Sequence, residues 1–596
     1  MKHKNLFLGI TAFILASFFV QPLFACTNFL VTKGASKDGS CMITYAADSH
    51  TLYGELYYRP AKDYPAGTML DIYEWDTGKF MGKIKQVPHT FSVVGNMNEY
   101  QVAIGETTYG GREELMDTTA IMDYGSLMYM ALQRAKTARE AIKIMIELFT
   151  EYGYASSGES ISISDANEVW ILEMISKGPD YIPAKDKDKK DAKKIDSKGA
   201  VFVAYRIPDG YISGHANHPR ITTFPKEDWK KSISSKSLDK INNPELEVIY
   251  AHDVISFARE KGYFKGEDKD FSFSDTYAPL WDETGKLVDY GGIRFCEARV
   301  WAGFRKVNSQ MDQHVDYILG KSKTRMPLWI KPDQKLSVKD VMEMMRDHFT
   351  GTELDMTKDV GAGPYHCPYR WRPMTWKYID KNKKDTTNYF HERAISTQQT
   401  GFSFVAQSRA FLPNPIGGIL WFSVDDTYST VYVPMYCGIT KVPETFKEGN
   451  GSMTEFSWNS AFWVFNWVSN FAYTRYEDII KDIRKLQGEM EEAFFKGTSE
   501  IDKKAESVYK TNPKKALAII TEYSVEQGDK TTKQWEKFGQ YLMVKYLDGN
   551  IKHEKDSRFE LNGSQKPLLK FPKQPAYPQE WYELIIKQTG DHYKMK

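Results

Sequence analysis

Residues 22–30, PLFACTNFL, set a cysteine directly behind an apolar leader. Lys2, His3 and Lys4 make a basic start, Leu6 to Val20 an apolar run, and Ala25 supplies a small residue before a cut, so residues 1–25 read as a secretory signal peptide. Removing them would make Cys26 the first residue of the chain. A cysteine thiol titrates near about 8.5 and an α-amine near about 8, so the two are matched for proton transfer around neutral pH. One residue then supplies both nucleophile and base. The thiolate attacks a carbonyl, and the tetrahedral intermediate collapses to a thioester that water resolves.

Other chemistry has less support. Leu23-Phe24-Ala25-Cys26 also looks like a bacterial lipoprotein box, which gives Cys26 the opposite fate: acylation, in a lipid-anchored binding protein whose aromatic residues face a ligand such as a glycan. His215 and His218, in GHANHP, have a ligand-like interval, but no helical H-E-x-x-H and no clear carboxylate partner accompany them. His348 and Glu353 fare no better, and no G-x-S-x-G elbow supports a serine triad. No metal or other cofactor is expected. The five cysteines, Cys26, Cys41, Cys296, Cys367 and Cys437, lack C-x-x-C spacing, so buried thiols are expected rather than a zinc ribbon.

The elements that must position Cys26 are legible around it. Thr27 to Thr32 and Cys41 to Ala47 read as strands joined through Asp38-Gly39, a hairpin with Cys26 at its outer end. Further strands are expected at Thr90 to Val94, Val102 to Thr107, Ser160 to Ser164 and Val169 to Met174. Thr118 to Tyr152 reads as helical, with a boundary at Thr137-Ala138-Arg139-Glu140, a capping-box pattern. Lys185 to Lys198 is a run of interspersed charges, expected as a solvated loop. Beyond about residue 450, Glu477 to Phe495, Pro513 to Glu526 and Thr531 to Leu547 are expected as helices, the second capped by Asn512.

With 79 Lys+Arg against 78 Asp+Glu, the chain carries no global attraction to nucleic acid or acidic membrane. The leader is too short for a comfortable spanning helix of roughly 20 residues, and no later segment is apolar enough, so no membrane span is expected.

The stretch from Cys26 through DGSCMITYAADS resembles the start of the dipeptidase family of cysteine N-terminal nucleophile hydrolases, relatives of penicillin V acylase and bile salt hydrolase. NEYQVAIGETTYGGREEL, VAYRIPDGYISGHANHPRIT, ARVWAGF, GPYHCPYRWRP and STQQTGFSFVAQSRAFLP resemble the same family in the same order. The resemblance implies an α+β fold, a four-layer αββα sandwich of antiparallel sheets over residues 26–450, with residues 451–596 as a helical appendage. It implies Cys26 as nucleophile, Asp48 orienting its amine, Asn217 binding the amine or the developing oxyanion, and Arg299 closing the constellation. Tyr45 stands where relatives commonly carry an arginine, which removes a charge-based means of activating the thiol. Glu106, Thr107 and Thr108 fall where acylases keep an oxyanion asparagine; a carboxylate cannot donate unless protonated, so Thr107 or a backbone N–H is the better donor there, and Glu106 can face the free amine of a peptide. The expectation is an exported enzyme, periplasmic or extracellular, that needs no cofactor and cleaves dipeptides or other small peptides. An acylase acting on N-acyl or bile-acid amides is the alternative.

Overall fold

A computed structural model of the chain describes residues 26–179, 198–226, 228, 230–380, 382, 386–562 and 568–595. The leader, and the charged run apart from Lys198, lie outside the described residues.

The expected hairpin forms. β1 (Asn28–Val31) and β2 (Cys41–Asp48) run antiparallel with Leu30 opposite Ile43, and Gly39 takes the positive φ of the connecting turn. Every residue of β2 is buried, which explains why CMITYAAD is largely apolar rather than alternating. Seven further strands build the two main sheets: β3 (Ala103–Tyr109), β4 (Gly158–Ser164), β5 (Val169–Ser176), β6 (Ala200–Arg206), β7 (Ile212–His215), β8 (Thr400–Ser408) and β9 (Gly418–Val424). With β10 (Val433–Tyr436) they leave only short strands unlabelled in these sheets.

One sheet is 7-stranded and antiparallel, ordered Trp329–Ile330, β7, β1, β2, β8, β9, β10. The other is 9-stranded and runs β6, β5, β4, β3 through its centre, where every pairing is antiparallel. Its edge strand Ser232–Ser234 pairs in parallel with Val248–Tyr250. β1 and β2 lie across β3, β4 and β5, so the sheets pack against each other beside Cys26. Gly105 sits at the closest approach: a Cβ there would meet the Asn28 side chain at 2.8 Å and Tyr45 Cβ at 3.1 Å.

Helices cover the outer faces. α1 (Tyr124–Leu132) is capped by Asp123, and α2 (Ala138–Tyr152) by Thr137, whose hydroxyl accepts from Glu140 N as the sequence pattern predicts. α1 packs on β3, and α2 on β4 to β6. Residues 118–123, expected as helix, instead form the approach to the Asp123 cap. A π-helical turn, Gly292–Glu297, leads into α3 (Ala298–Arg305), which packs on α4 (Val338–Met345); α4 lies on β2 and β8.

The C-terminal region holds α5 (Ala461–Tyr473), α6 (Tyr476–Tyr509) and α7 (Pro513–Lys545), which pack on β9 and β10. α7 is one helix where two were expected, and α5 was not expected at all. The chain is thus a mixed α/β protein with several antiparallel sheets and a C-terminal helical region. No helix among the described residues is long and apolar enough to cross a membrane.

Candidate active site

Cys26 precedes β1 and is buried, with its Sγ 3.7 Å from Glu106 Oε1 and 3.9 Å from Tyr45 Oη. It lines a cavity of about 100 Å³ with Asp48, Ser49, Trp75, Asp76, Thr108 and Tyr124 among the walls. All five cysteines are free thiols.

Arg299 ties the start of β1 to the loop after β7. Its guanidinium donates to Cys26 O, to Thr27 Oγ1 at 2.7 Å and to Asn217 Oδ1 at 2.8 Å, while its Nε donates to Phe295 O. That carbonyl lies in the π turn before α3, a distortion that recurs at functional sites. Asn217 sits at φ 55, a conformation asparagine tolerates, and donates its Nδ2 to Thr108 O at 2.6 Å. Its amide therefore bridges the 9-stranded sheet and Arg299.

Asp48 ends β2. Its Oδ2 accepts from Arg393 at 2.5 Å and its Oδ1 from Thr400 Oγ1 at 2.6 Å, so both oxygens already have partners. Burial pushes this carboxyl upward, against the pull of Arg393. The Asp48 backbone also hydrogen-bonds the Cys26 sulfur.

The other wall is acidic. Tyr45 Oη donates to Glu106, and Thr108 Oγ1 donates to Glu159 at 2.8 Å. Glu106 and Glu159 are both buried and hydrogen-bonded to each other, and burial raises both carboxyls. The charge of Glu106 adds to the effect of burial on Glu159. At the cavity mouth, Asp76 accepts from Tyr124 Oη at 2.9 Å. Asn28 completes the seam: with its amide turned to suit its neighbours, it donates to Glu106 O at 3.2 Å and accepts from Glu106 N at 3.1 Å.

Burial raises the Cys26 thiol well above its ordinary range, and the negative charges of Glu106 and Asp48 add to the effect. The resting sulfur is therefore a neutral thiol.

Thr107 does not line the cavity. Its Oγ1 is hydrogen-bonded to His215 Nδ1 at 2.7 Å, and His215 Nε2 to Ser162 Oγ at 2.6 Å, while burial holds this imidazole down at about 3 and neutral. His218 Nε2 meets Ala278 O at 3.1 Å, and His348 Nε2 meets Tyr369 Oη at 2.8 Å. Among the described residues no cluster of three or more His, Cys, Asp or Glu is arranged to hold a metal ion.

Cys26, Asp48, Asn217, Arg299 and Glu106 thus converge from four parts of the chain. Sequence reasoning missed Arg393, Thr400, Glu159 and Asp76. Arg393 lies 345 residues from Asp48, and nothing in HERAIS marks it as a partner.

The sequence profile of Peptidase family C69 matches residues 25–489. The chain is 21% identical over 551 residues to the probable dipeptidase B of Streptococcus pyogenes serotype M1, covering 90% of this chain and 96% of the relative. It is 23% identical over 462 residues to a probable dipeptidase of Latilactobacillus sakei, with 74% of this chain and 80% of that protein covered. A probable dipeptidase of Salmonella dublin is 22% identical over 448 residues, covering 72% and 84%. A match of this extent to the family profile, over both main sheets and every residue of the constellation around Cys26, means that the chain belongs to peptidase family C69.

Proposed function

We propose that the protein is an exported cysteine dipeptidase in which removal of residues 1–25 frees the Cys26 amine to act as base for its own thiol. The observation that carries this reading is the position of Cys26 Sγ: buried at the head of β1, in a cavity, against a carboxylate, with no imidazole among the cavity walls. A thiol held neutral by burial needs a base, and the charge of the Glu106 carboxylate in contact with it opposes a thiolate, whereas a freed α-amine leaves a cation beside the sulfur when it takes the proton.

In this mechanism the amine takes the thiol proton as sulfur adds to the scissile carbonyl. The free N–H of the Asn217 amide, whose oxygen is anchored by Arg299, stabilises the oxyanion. The ammonium then protonates the leaving amine, the thioester forms, and water attacks it with the amine again as base. Asp48, neutralised by Arg393, orients Cys26 through its backbone, and Glu106 faces the free ammonium of an unblocked substrate. Thr108 rather than Thr107 lines the cavity, so Thr107 serves through His215. The two sheets in contact, with α1 and α2 on one outer face and α4 to α7 on the other, support a four-layer N-terminal nucleophile sandwich. The dipeptidase names of the relatives favour dipeptides over N-acyl amides.

The test is the intact mass and N-terminal sequence of protein purified from a secreting host, before and after brief iodoacetamide treatment, with dipeptide hydrolysis followed alongside. A chain beginning at a free Cys26, silenced by one alkylation and by Cys26→Ser, is the expected result. A lipid-bearing Cys26, or full activity in Cys26→Ser, would overturn it.

A further inference from the structure

Charge is divided around Cys26. On one side stand Glu106 and Asp76 in the cavity wall, with Glu159 joined to them through Thr108. On the other, outside the residues that line the cavity, three arginines, Arg299, Arg372 and Arg393, lie within electrostatic reach of one another and of Asp48. Asp48 pairs with Arg393 at 2.5 Å. Arg299 hydrogen-bonds only carbonyl, hydroxyl, amide and thiol groups, and Arg372 donates to the Gln399 amide oxygen. The Arg372 Nε is buried and has no partner among the described residues. Gln399 joins this group to the cavity: its backbone oxygen accepts from Ser49 N at 2.9 Å, and Ser49 lines the cavity with Cys26. Clustered guanidinium groups with too few carboxylates make a site for an anion.

A dipeptide has its ammonium nitrogen about 2.5 Å from the scissile carbon and its carboxylate carbon within about 4 Å on the other side. A site fitted to it needs opposite charges on either side of the nucleophile, close in. We propose that Arg372 is the specificity-determining cation of this site and pairs with the free α-carboxylate of the residue that leaves, so that the substrate is read as a zwitterion. The inference rests on Cys26 as the nucleophile. It supplies what that assignment lacks, a reason why the substrate ends one residue beyond the scissile bond: a longer peptide carries a neutral amide where Arg372 requires an anion.

The experiment compares an unblocked dipeptide with its C-terminal amide, on wild-type protein and on Arg372→Gln and Arg372→Lys. Losing a charge-assisted contact should raise KM for the free acid about ten- to a hundredfold in Arg372→Gln, with little change in kcat, leave the amide unchanged, and be partly rescued in Arg372→Lys. Equal losses on acid and amide, or a wild-type enzyme indifferent to amidation, would overturn the proposal. Calorimetric binding of both ligands to Cys26→Ser separates recognition from chemistry: tighter binding of the acid supports the carboxylate site and equal binding overturns it. Hydrolysis persisting in Cys26→Ser would instead count against the nucleophile alone.

Discussion

Glu106 is the residue on which the site's electrostatics turn. It faces the thiol, accepts from Tyr45 and is joined to Glu159 through the Thr108 hydroxyl, so its charge acts on Cys26 and on any substrate ammonium. Its negative charge raises the thiol's pKa, and removing it lowers that pKa, leaving more thiolate at a fixed pH. In Glu106→Gln, alkylation of Cys26 by iodoacetamide at pH 8 should therefore quicken several-fold. The same variant should lose about tenfold or more in kcat/KM on an unblocked dipeptide, and less on its N-acylated analogue. Slower alkylation, or equal losses on both substrates, would remove Glu106 from this role. The sequence offered part of this site. Cys26 is visible through the leader, and Asp48, Asn217 and Arg299 through an ordered series of resembling stretches. Arg393 and Glu159 carried no local signal, because an ion pair or a hydrogen bond between distant residues exists only once the sheets have packed. Thr107 is a candidate donor from sequence because the Glu106 carboxylate cannot donate, but strand alternation sends the Thr107 hydroxyl to His215 and leaves Thr108 at the cavity.

At the scale of elements, α5 shows why part of the fold was illegible. AFWVFNWVSNFAY is apolar and aromatic around much of its circumference, so it has no clear helical stripe. It packs on both the 7-stranded sheet and α7, and is covered on more than one side. The two helices expected in place of α7, Pro513 to Glu526 and Thr531 to Leu547, leave between them a stretch that contains Gly528. Here the helix continues, and Gly528 is where Pro443 approaches: a Cβ would meet its ring at 2.3 Å. The hairpin, α2 and the Asn512 cap were legible because period, turn and cap signals are local. α5 docks through Asp425, whose carboxylate accepts from Asn466 Nδ2 at 2.8 Å and from Ser469 Oγ. Burial first, then the neighbouring Asp426, raises the Asp425 carboxyl from 3.8 to about 7. A carboxyl raised in the folded state binds more protons folded than unfolded between those values. Its stabilising contribution is complete below the unfolded pKa and falls as pH climbs towards 7. The loss amounts to about 4 kcal/mol at pH 8, taking ~1.36 kcal/mol per unit. Asp425→Asn keeps the shape and the bond from Asn466 without the charge, and its Nδ2 can donate to Ser469 Oγ, whose proton then goes to Phe465 O. Its melting temperature should vary less between pH 5 and pH 8 than that of the wild type and exceed it at pH 8. A parallel pH dependence in the two proteins would exclude Asp425 as the source.

Over the whole molecule, one buried apolar cluster runs from Cys26 to Tyr546, so the helical region shares its core with the sheets around Cys26. The profile of the family also ends inside α6, at residue 489, rather than at the change of composition near residue 450. Two ion pairs, one buried and one half-buried, fasten the halves: Arg346 to Glu491 at 2.5 Å, and Arg409 to Asp502 at 2.5 Å. The first is the more enclosed. Its side chains are 1% and 5% exposed, and Glu491 Oε1 also accepts from Tyr432 N at 3.0 Å, just before β10. Assembling such a pair gains little net free energy, because both charges lose their hydration. Removing one partner strands the other, at a cost of about 3–5 kcal/mol. In Glu491→Ala, the backbone amide of Tyr432 and a buried guanidinium lose their acceptor together, although Glu343 at 2.9 Å still holds Arg346 from the rim. If the chain unfolds as a unit, this change in the helical region must destabilise the Cys26 site equally. Calorimetry should then show a single transition moved to lower temperature, with dipeptide hydrolysis lost at that same temperature. A second, unmoved transition that retains activity would mean that the sheets around Cys26 stand without α6 and α7, and that the shared core is contact without cooperation.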